Sequence, residues 1–323
     1  MAAPAAGGDR IRAVHVAGIP PEALRGPLQE LLPGVEVRGF ADEADFARRL
    51  PEVEVLFAFR PPRGHWARAT RLRLIQTVGA GVDAVLPAPD LPEGVQIANA
   101  RGVHAAQMGE YALGMMLHFA RRMPELLDQQ RRREWRMLAP SLLRGATCGV
   151  LGLGAIGEAV GERARAFGMR VLGTRRDPRP SPHADRVVGP EETEAVLAES
   201  DYVVVVLPLT KETRGRLGAE ALAHLRPEAV LVNMARGGIL DETALAAMLR
   251  EGRLRGAALD VFEEEPLPAS SPLWDVPNLV ITPHLAGFSR DYLPAVLGIF
   301  AENVRRLERG EPLRNLVDRQ RGY

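Results

Sequence analysis

The chain has one cysteine, Cys148, in 323 residues. No disulfide can close within it, and no cysteine-rich zinc site can be assembled. Lysine is as scarce: Lys211 stands alone among 41 basic side chains. No tyrosine lies four positions before it, which excludes the Tyr-x-x-x-Lys proton donor. Lysine-dependent amino-acid dehydrogenation would have to use Lys211 itself, which sits in a charged loop. Net charge is also missing, with 41 acidic groups against 41 basic ones, so neither a polyanion-binding face nor an acidic tail is indicated. Long apolar runs are absent too. The stretch from Tyr202 to Leu207 falls far short of the roughly 20 residues that cross a bilayer. The opening MAAPAAGG lacks the basic start and apolar core of an export signal. Composition points to a cytoplasmic protein with no nucleic-acid or membrane partner and no metal.

What is present is ordinary globular material, 46% hydrophobic and 25% charged, long enough for two domains at one per roughly 150 residues. Short apolar runs read as strands at Ala13 to Ala17, Val35 to Phe40, Val53 to Phe59, Leu72 to Val78 and Val95 to Ala98. Between the first two, Pro21 opens a helix with Leu24, Leu28, Leu31 and Leu32 at helical spacing, interrupted by Pro27. Met108, Tyr111, Met115 and Phe119 fit one face of a helix from Gln107 to Arg121. The polar stretch Arg121 to Arg136 reads as a crossing between domains. A second strand series follows at Thr147 to Leu151, Arg170 to Gly173, Tyr202 to Leu207, Ala229 to Met234, Gly256 to Leu259 and Leu279 to Ile281. Continuous apolar strands alternating with helices indicate parallel sheets covered on both faces, an α/β class. A further helix, carrying Leu293, Val296, Ile299, Phe300, Val304 and Leu307, precedes an arginine-rich end.

The strand Thr147 to Leu151 runs into Gly152-Leu153-Gly154-Ala155-Ile156-Gly157, and a helix follows. This strand, glycine turn and helix is the context of a dinucleotide-binding fingerprint. Gly152 permits the turn, Gly154 clears the path of the pyrophosphate, and Gly157 lets helix and strand approach. The helix N-terminus offers N–H groups and a favourable dipole. The next strand should end in an acidic residue that binds the adenosine ribose, yet 18 positions past Gly157 stands Arg175, between Thr174 and Arg176. Two guanidiniums and a hydroxyl suit a 2′-phosphate, which predicts NADP(H) in preference to NAD(H). The competing readings are a solvated turn before Pro178 and a displaced acidic ligand, Asp177.

Ligands of parallel sheets sit beyond the carboxyl ends of the strands. There the chain places Pro208, Ala235-Arg236-Gly237-Gly238, Asp260 and Thr282-Pro283-His284. Reduction of a carbonyl needs a proton donor for the developing alkoxide and a cation to polarise or hold the substrate. Among seven histidines, His284 is the preferred acid because it follows a strand and precedes the small residues Ala286 and Gly287. Arg236 is the preferred cation. Glu263, Glu264 and Glu265 form an acidic run in which position alone singles out none.

The four ordered segments Gly152 to Gly157, Asn233 to Gly238, Asp260 to Pro266 and Thr282 to Gly287 resemble those of the D-isomer-specific 2-hydroxyacid dehydrogenases. The likeness extends over nearly the whole chain and is nearest the NADPH-dependent glyoxylate and hydroxypyruvate reductase branch. It implies a Rossmann-type doubly wound cofactor domain, residues 102–287, inserted into a smaller flavodoxin-like substrate domain, residues 1–101 and 288–323. It also implies a cleft between them that closes by a hinge, and a homodimer through the cofactor domain and the helix around Gly109 to Phe119. It makes Arg236 the ligand of the substrate carboxylate and keto oxygen, His284 the acid/base and Glu265 its partner. Gly79, Ala80 and Gly81 become the backbone cradle of the carboxylate.

The cofactor-binding set on this reading is Gly152, Leu153, Gly154, Ala155, Ile156, Gly157, Thr174, Arg175, Arg176, Leu207, Pro208, Ala235, Asp260, His284 and Gly287. Gly109 stands where alanine is common in the family, and Arg175 where NAD-dependent members carry aspartate. A formate dehydrogenase is disfavoured because glutamate, and not glutamine, is the partner of His284. The alternative of another class is a nucleotide-sensing protein resembling the corepressors that share this fold. Arg60, Trp66 and Trp135 are candidates for shaping the substrate pocket, each equally readable as structural.

Overall fold

Two parallel sheets organise the chain, and each belongs to its own unit in the computed structural model, which describes residues 10–320. The alanine-rich opening residues, where an export signal is not expected, lie outside the described residues. The first unit holds residues 10–103 and 289–320, and the second holds residues 104–288.

In the first unit the strands are β1 (Ala13–Ala17), β2 (Glu36–Arg38), β3 (Val55–Ala58), β4 (Leu74–Thr77) and β5 (Gln96–Ala98), in the spatial order β2-β1-β3-β4-β5, all parallel. Helix α1 (Pro21–Leu31) crosses from β1 to β2 and continues through Pro27, burying Leu24 and Leu28. Helix α2 (Glu43–Arg49) begins at Asp42, whose carboxylate accepts from the Asp45 N–H and supplies the N-cap. One face of the sheet packs on α1 and on the last helix of the chain, joining Val14, Phe57, Val296 and Phe300. The other face buries Phe46, Leu56, Trp66 and Ile75.

His15 lies within the first sheet, buried against Phe40. Its Nε2 accepts from the Arg49 guanidinium at 3.3 Å, so the ring carries its hydrogen on Nδ1 and is neutral. Burial, and then the charges of Arg49 and Arg38, push its pKa down from 6.5 to about 4, against a smaller opposing effect of Glu36. Unfolded chains take up this proton below pH 6.5 and the folded chain does not, so stability is full above that value and falls as pH drops towards 4. On the order of 2 kcal/mol should be withdrawn by pH 4.5. Urea midpoints of wild type and His15→Gln at pH 7.5 and 4.5 test this. The acid loss should be smaller in the variant, and parallel losses would contradict it.

In the second unit, helices α3 (Ala105–Ala120) and α4 (Met123–Arg132) precede the strands β6 (Thr147–Leu151), β7 (Arg170–Thr174), β8 (Arg186–Val188), β9 (Tyr202–Val205), β10 (Val230–Asn233), β11 (Gly256–Leu259) and β12 (Leu279–Ile281). The order β12-β11-β10-β9-β6-β7-β8 is wholly parallel. Helix α5 (Ala155–Ala166) connects β6 to β7; α6 (Thr193–Glu199) follows β8, and α7 (Ala219–Leu222) and α8 (Glu242–Arg250) flank β10. The chain closes on α9 (Tyr292–Arg309), back in the first unit.

Connections run to one side from β6 through β7 to β8 and to the other from β9 through β12. The crevice between β6 and β9 is therefore the topological switch point where ligands bind. Thr147–Leu151 and Tyr202–Val205 are buried along their whole length, as continuous apolar runs require. Two readings need correction. Arg121 to Arg136 contains helix α4 and lies inside the second unit, so it is no crossing between domains. The short edge strand β8 was not anticipated.

Candidate active site

Backbone geometry explains each glycine of the loop after β6. Gly152 has φ of +103°, and a Cβ on it would stand 2.9 Å from the Val206 carbonyl oxygen and 3.3 Å from a Leu207 methyl. A Cβ on Gly157 would stand 2.3 Å from the Gly152 carbonyl oxygen. Gly154, the N-cap of α5, has nothing within 4 Å of that position. The first and last glycines are thus required by the protein's own packing. The middle one opens a space above the helix N-terminus, with Leu153 buried behind it. A pyrophosphate fits that space: donors converge on it, and a side chain there would fill it.

Thr174 ends β7 buried, its hydroxyl accepting from the Gly152 N–H at 3.2 Å. It fastens the turn. Arg175 follows, its guanidinium 3.6 Å from the Glu158 carboxylate on the first turn of α5, which sets a cation beside the helix start. Arg176 and Asp177 are exposed. Leu207 and Pro208 follow β9, and Leu207 lines the Gly152 turn.

Beyond β10, Ala235 is buried with its N–H on the Asn233 side chain, and Arg236 is half-buried, donating to the Ala235 carbonyl at 2.8 Å. A Cβ on Gly237 would lie 1.9 Å from the Phe262 carbonyl oxygen. Glycine therefore lets the Arg236 loop lie against the loop that carries Glu265. Glu265 accepts from the Phe262 N–H at 3.1 Å with Oε1, and its Oε2 is 2.8 Å from Nδ1 of His284. A carboxylate facing Nδ1 makes that nitrogen the donor, and leaves Nε2 on the side of the ring away from Glu265. Nearby, burial raises the Glu242 carboxyl above the usual range, with the charges of Glu263 and Glu265 adding to it.

His284 has φ of +52°, a left-handed conformation that costs a non-glycine residue roughly 1–2 kcal/mol. Asp260 compensates from the buried end of β11. Its carbonyl accepts from the His284 N–H at 2.9 Å. Its carboxylate takes the N–H groups of Leu285 and Ala286, each at 2.9 Å, and the Thr282 hydroxyl at 2.5 Å. The left-handed turn aims successive N–H groups at one anion, a nest. Gly287 closes the segment against the His104 ring, where a Cβ would stand 2.5 Å from Cδ2.

In the first unit, Gly79-Ala80-Gly81 lies just past β4. The Gly79 carbonyl accepts from the Thr77 hydroxyl and the Ala100 N–H, and the Ala80 carbonyl from the Asn99 amide. These bonds fix the peptide planes of the loop. The three pocket candidates part company. Trp66 is core, 1% exposed and edge-on to Phe46. Trp135 is 97% exposed. Arg60 follows β3 in a left-handed conformation, with its guanidinium over the Phe59 ring. Sequence reasoning missed Tyr111 and the hydroxyl of Thr282. Tyr111 hid in the apolar stripe of α3, and Thr282 sat in a motif noticed for its histidine.

Comparison with known proteins accords with this geometry. Residues 113–286 match the family model described as D-isomer specific 2-hydroxyacid dehydrogenase, NAD binding domain. Glyoxylate/hydroxypyruvate reductase A of Serratia proteamaculans is 36% identical over 303 residues, 92% of this chain and 94% of that protein. D-3-phosphoglycerate dehydrogenase of Methanocaldococcus jannaschii is 36% identical over 256 residues, and the match spans 48% of that longer protein. Among solved structures, a D-isomer specific 2-hydroxyacid dehydrogenase of Xanthobacter autotrophicus Py2 in complex with NADPH and MES superposes with a TM-score of 0.86. It is 37% identical, over 98% of this chain and 100% of its own. The NADPH-dependent glyoxylate/hydroxypyruvate reductase of Sinorhizobium meliloti in complex with NADP and sulfate gives 0.87 at 31% identity, covering 96% and 99%. The chain belongs to the D-isomer specific 2-hydroxyacid dehydrogenase family and is an oxidoreductase with a nicotinamide-dinucleotide-binding Rossmann unit.

Proposed function

We propose that this protein reduces a small 2-oxo acid of the glyoxylate or hydroxypyruvate kind to the D-2-hydroxy acid, reversibly, with NADP(H) in preference to NAD(H). The observation that carries the reading is the 2.8 Å contact between His284 Nδ1 and Glu265, on a loop edge shared with Arg236. The dinucleotide, when bound, supplies or accepts the hydride at its nicotinamide. The chain's own residues do the rest. Glu265 holds the imidazole by Nδ1, so that Nε2 can pass a proton to the developing alkoxide. Arg236 pairs with the substrate carboxylate and polarises the keto group; in the first unit, the backbone of Gly79, Ala80 and Gly81 is of the kind that takes a carboxylate. Fixing both ends of so small a substrate makes the encounter an oriented, effectively intramolecular step. Leu153, Ala155, Ile156, Pro208, Ala235 and Gly287 shape the dinucleotide's path, and Asp260 acts on it through the loop it anchors.

Arg175 underlies the cofactor preference. A guanidinium beside the N-terminus of α5 attracts a 2′-phosphate where a carboxylate would repel it, and Arg176 adds a second cation. Wild type should show a KM for NADPH at least tenfold below that for NADH, and Arg175→Asp should abolish or invert the ratio. Steady-state kinetics across 2-oxo acids of graded size, with both cofactors, tests substrate and cofactor together. A wild type preferring NADH would refute the 2′-phosphate argument. Dinucleotide binding with no turnover on any acid would return the chain to the sensing alternative.

The same reading includes a cytoplasmic homodimer joined through the second unit. The stripe of Met108, Ala112, Met116 and Phe119 on α3 is buried within that unit. What α3 leaves for a second copy is its opposite side, where Ala106, Glu110 and Gly114 are exposed, and α4 with the segment after it adds the exposed Leu126, Leu127, Trp135 and Met137. No described helix is long and apolar enough to cross a membrane.

A further inference from the structure

Tyr111 is largely buried on α3, and its hydroxyl is 2.7 Å from the Thr282 hydroxyl. Thr282 in turn is 2.5 Å from Asp260 Oδ1. Direction follows from chemistry. The carboxylate accepts, so Thr282 gives it the only proton a threonine hydroxyl has. Thr282 must then receive one from Tyr111. Burial pushes the Tyr111 phenol up to about 12, so it keeps the proton it donates throughout the working range. The chain of bonds runs one way, from Tyr111 to Thr282 to Asp260, and ends on the nest that holds His284 in its left-handed turn.

We infer that Tyr111 and Thr282 are positioning residues of the reaction: with Asp260 they set the orientation of the turn that carries His284. The inference rests on the acid/base role proposed for His284. Alone, the Asp260 carboxylate could swing about its Cα–Cβ and Cβ–Cγ bonds and take the N–H groups of Leu285 and Ala286 with it. Thr282 fixes that rotation, and Tyr111 fixes the rotamer of Thr282.

The anchor of the chain is rigid. Helix α3 is seated on α5 so closely that a Cβ on Gly109 would stand 3.1 Å from the Ala159 carbonyl oxygen. Tyr111 therefore ties the acid/base turn to the helix whose N-terminus receives the dinucleotide. Proton donor and cofactor are referenced to one piece of scaffold, and misplacement by even about 1 Å costs turnover heavily. The ties are far apart in sequence, with 171 positions between Tyr111 and Thr282.

The test is a set of kinetic variants of the full-length protein with glyoxylate or hydroxypyruvate and NADPH. Tyr111→Phe and Thr282→Val should each lower kcat about tenfold with KM for either substrate within about twofold. Thr282→Ser, which keeps the hydroxyl, should retain most of the wild-type kcat. The double variant Tyr111→Phe/Thr282→Val should be no slower than Thr282→Val, because one chain of bonds is broken only once. Wild-type kcat in Tyr111→Phe, losses confined to KM, or multiplying losses in the double variant would each overturn the inference. His284→Ala separates the two levels. If it stays active, the acid/base reading has failed and this inference with it; if it is inactive while Tyr111→Phe is normal, only the positioning role has failed.

Discussion

Replacing His284 by alanine is expected to lower kcat by about 10²–10⁴, the range a positioned general acid commands, and to leave the fold standing. The imidazole is half-buried and its recorded side-chain partner is Glu265, so its removal opens no core cavity. The backbone of the turn is held by Asp260 through bonds that alanine at position 284 retains. The melting temperature should stay within a few degrees of wild type. Affinity for the dinucleotide, followed by fluorescence titration, should change little, because the glycine turn and α5 are untouched. Glu265→Gln should do less damage than His284→Ala. It keeps an acceptor for Nδ1–H and removes the negative charge from that hydrogen bond. The measurement is kcat by NADPH oxidation beside a thermal melt, and a His284→Ala enzyme within threefold of wild-type kcat would remove His284 from the mechanism.

Legibility in the sequence tracked how local the physical cause was. Strands buried on both faces betray themselves as unbroken apolar runs, so Thr147–Leu151 and Gly256–Leu259 matched the structure residue for residue; the half-buried edge strand Leu279–Ile281 is apolar enough to match as well. Edge strand β8 has only Val187 and Val188 as an apolar signal, too little to separate it from loop. Helix α4 buries only Gln129 and leaves its few apolar residues, Met123, Leu126 and Leu127, exposed, so its charged composition reads as a linker. At the site, the glycine turn was readable because its reasons are local: a tight turn and a helix start within six residues. The choice among Glu263, Glu264 and Glu265 was not readable from position. It depends on which carboxylate the turn aims at His284, 19 positions downstream. Family resemblance supplied what spacing could not. Tyr111 lay beyond both, since on a helix an aromatic ring at apolar spacing reads as core. Its hydroxyl acquires a role only when tertiary structure brings Thr282 to it.

Two glycines within six residues of the end of β6 should respond to substitution in opposite ways, and the contrast separates folding from ligand space. Gly157→Val places a branched side chain where even a Cβ meets the Gly152 carbonyl oxygen at 2.3 Å and a Val150 methyl at 3.1 Å. Neither can step aside cheaply: one is backbone of the turn and the other is core. Helix α5 must tilt or slide away from β6. Overpacking of this kind costs roughly 1–3 kcal/mol, a fall in melting temperature of several degrees for a domain this size. The displaced helix also carries its N–H groups off the pyrophosphate, so NADPH saturation should weaken at least tenfold or disappear.

Gly154→Ala adds a methyl at a position with φ of −90° and ψ of −161°, backbone that alanine adopts freely, into space no protein atom fills. The ligand-free protein should melt as wild type does, while the stabilisation conferred by saturating NADPH shrinks, because the methyl stands where the pyrophosphate must approach. Thermal melts of both variants with and without NADPH decide the matter. Wild-type stability and affinity in Gly157→Val would deny the close contact of helix and turn. Undiminished NADPH stabilisation in Gly154→Ala would mean that the dinucleotide does not pass over this loop, and the assignment of the crevice between β6 and β9 as its seat would fall with it.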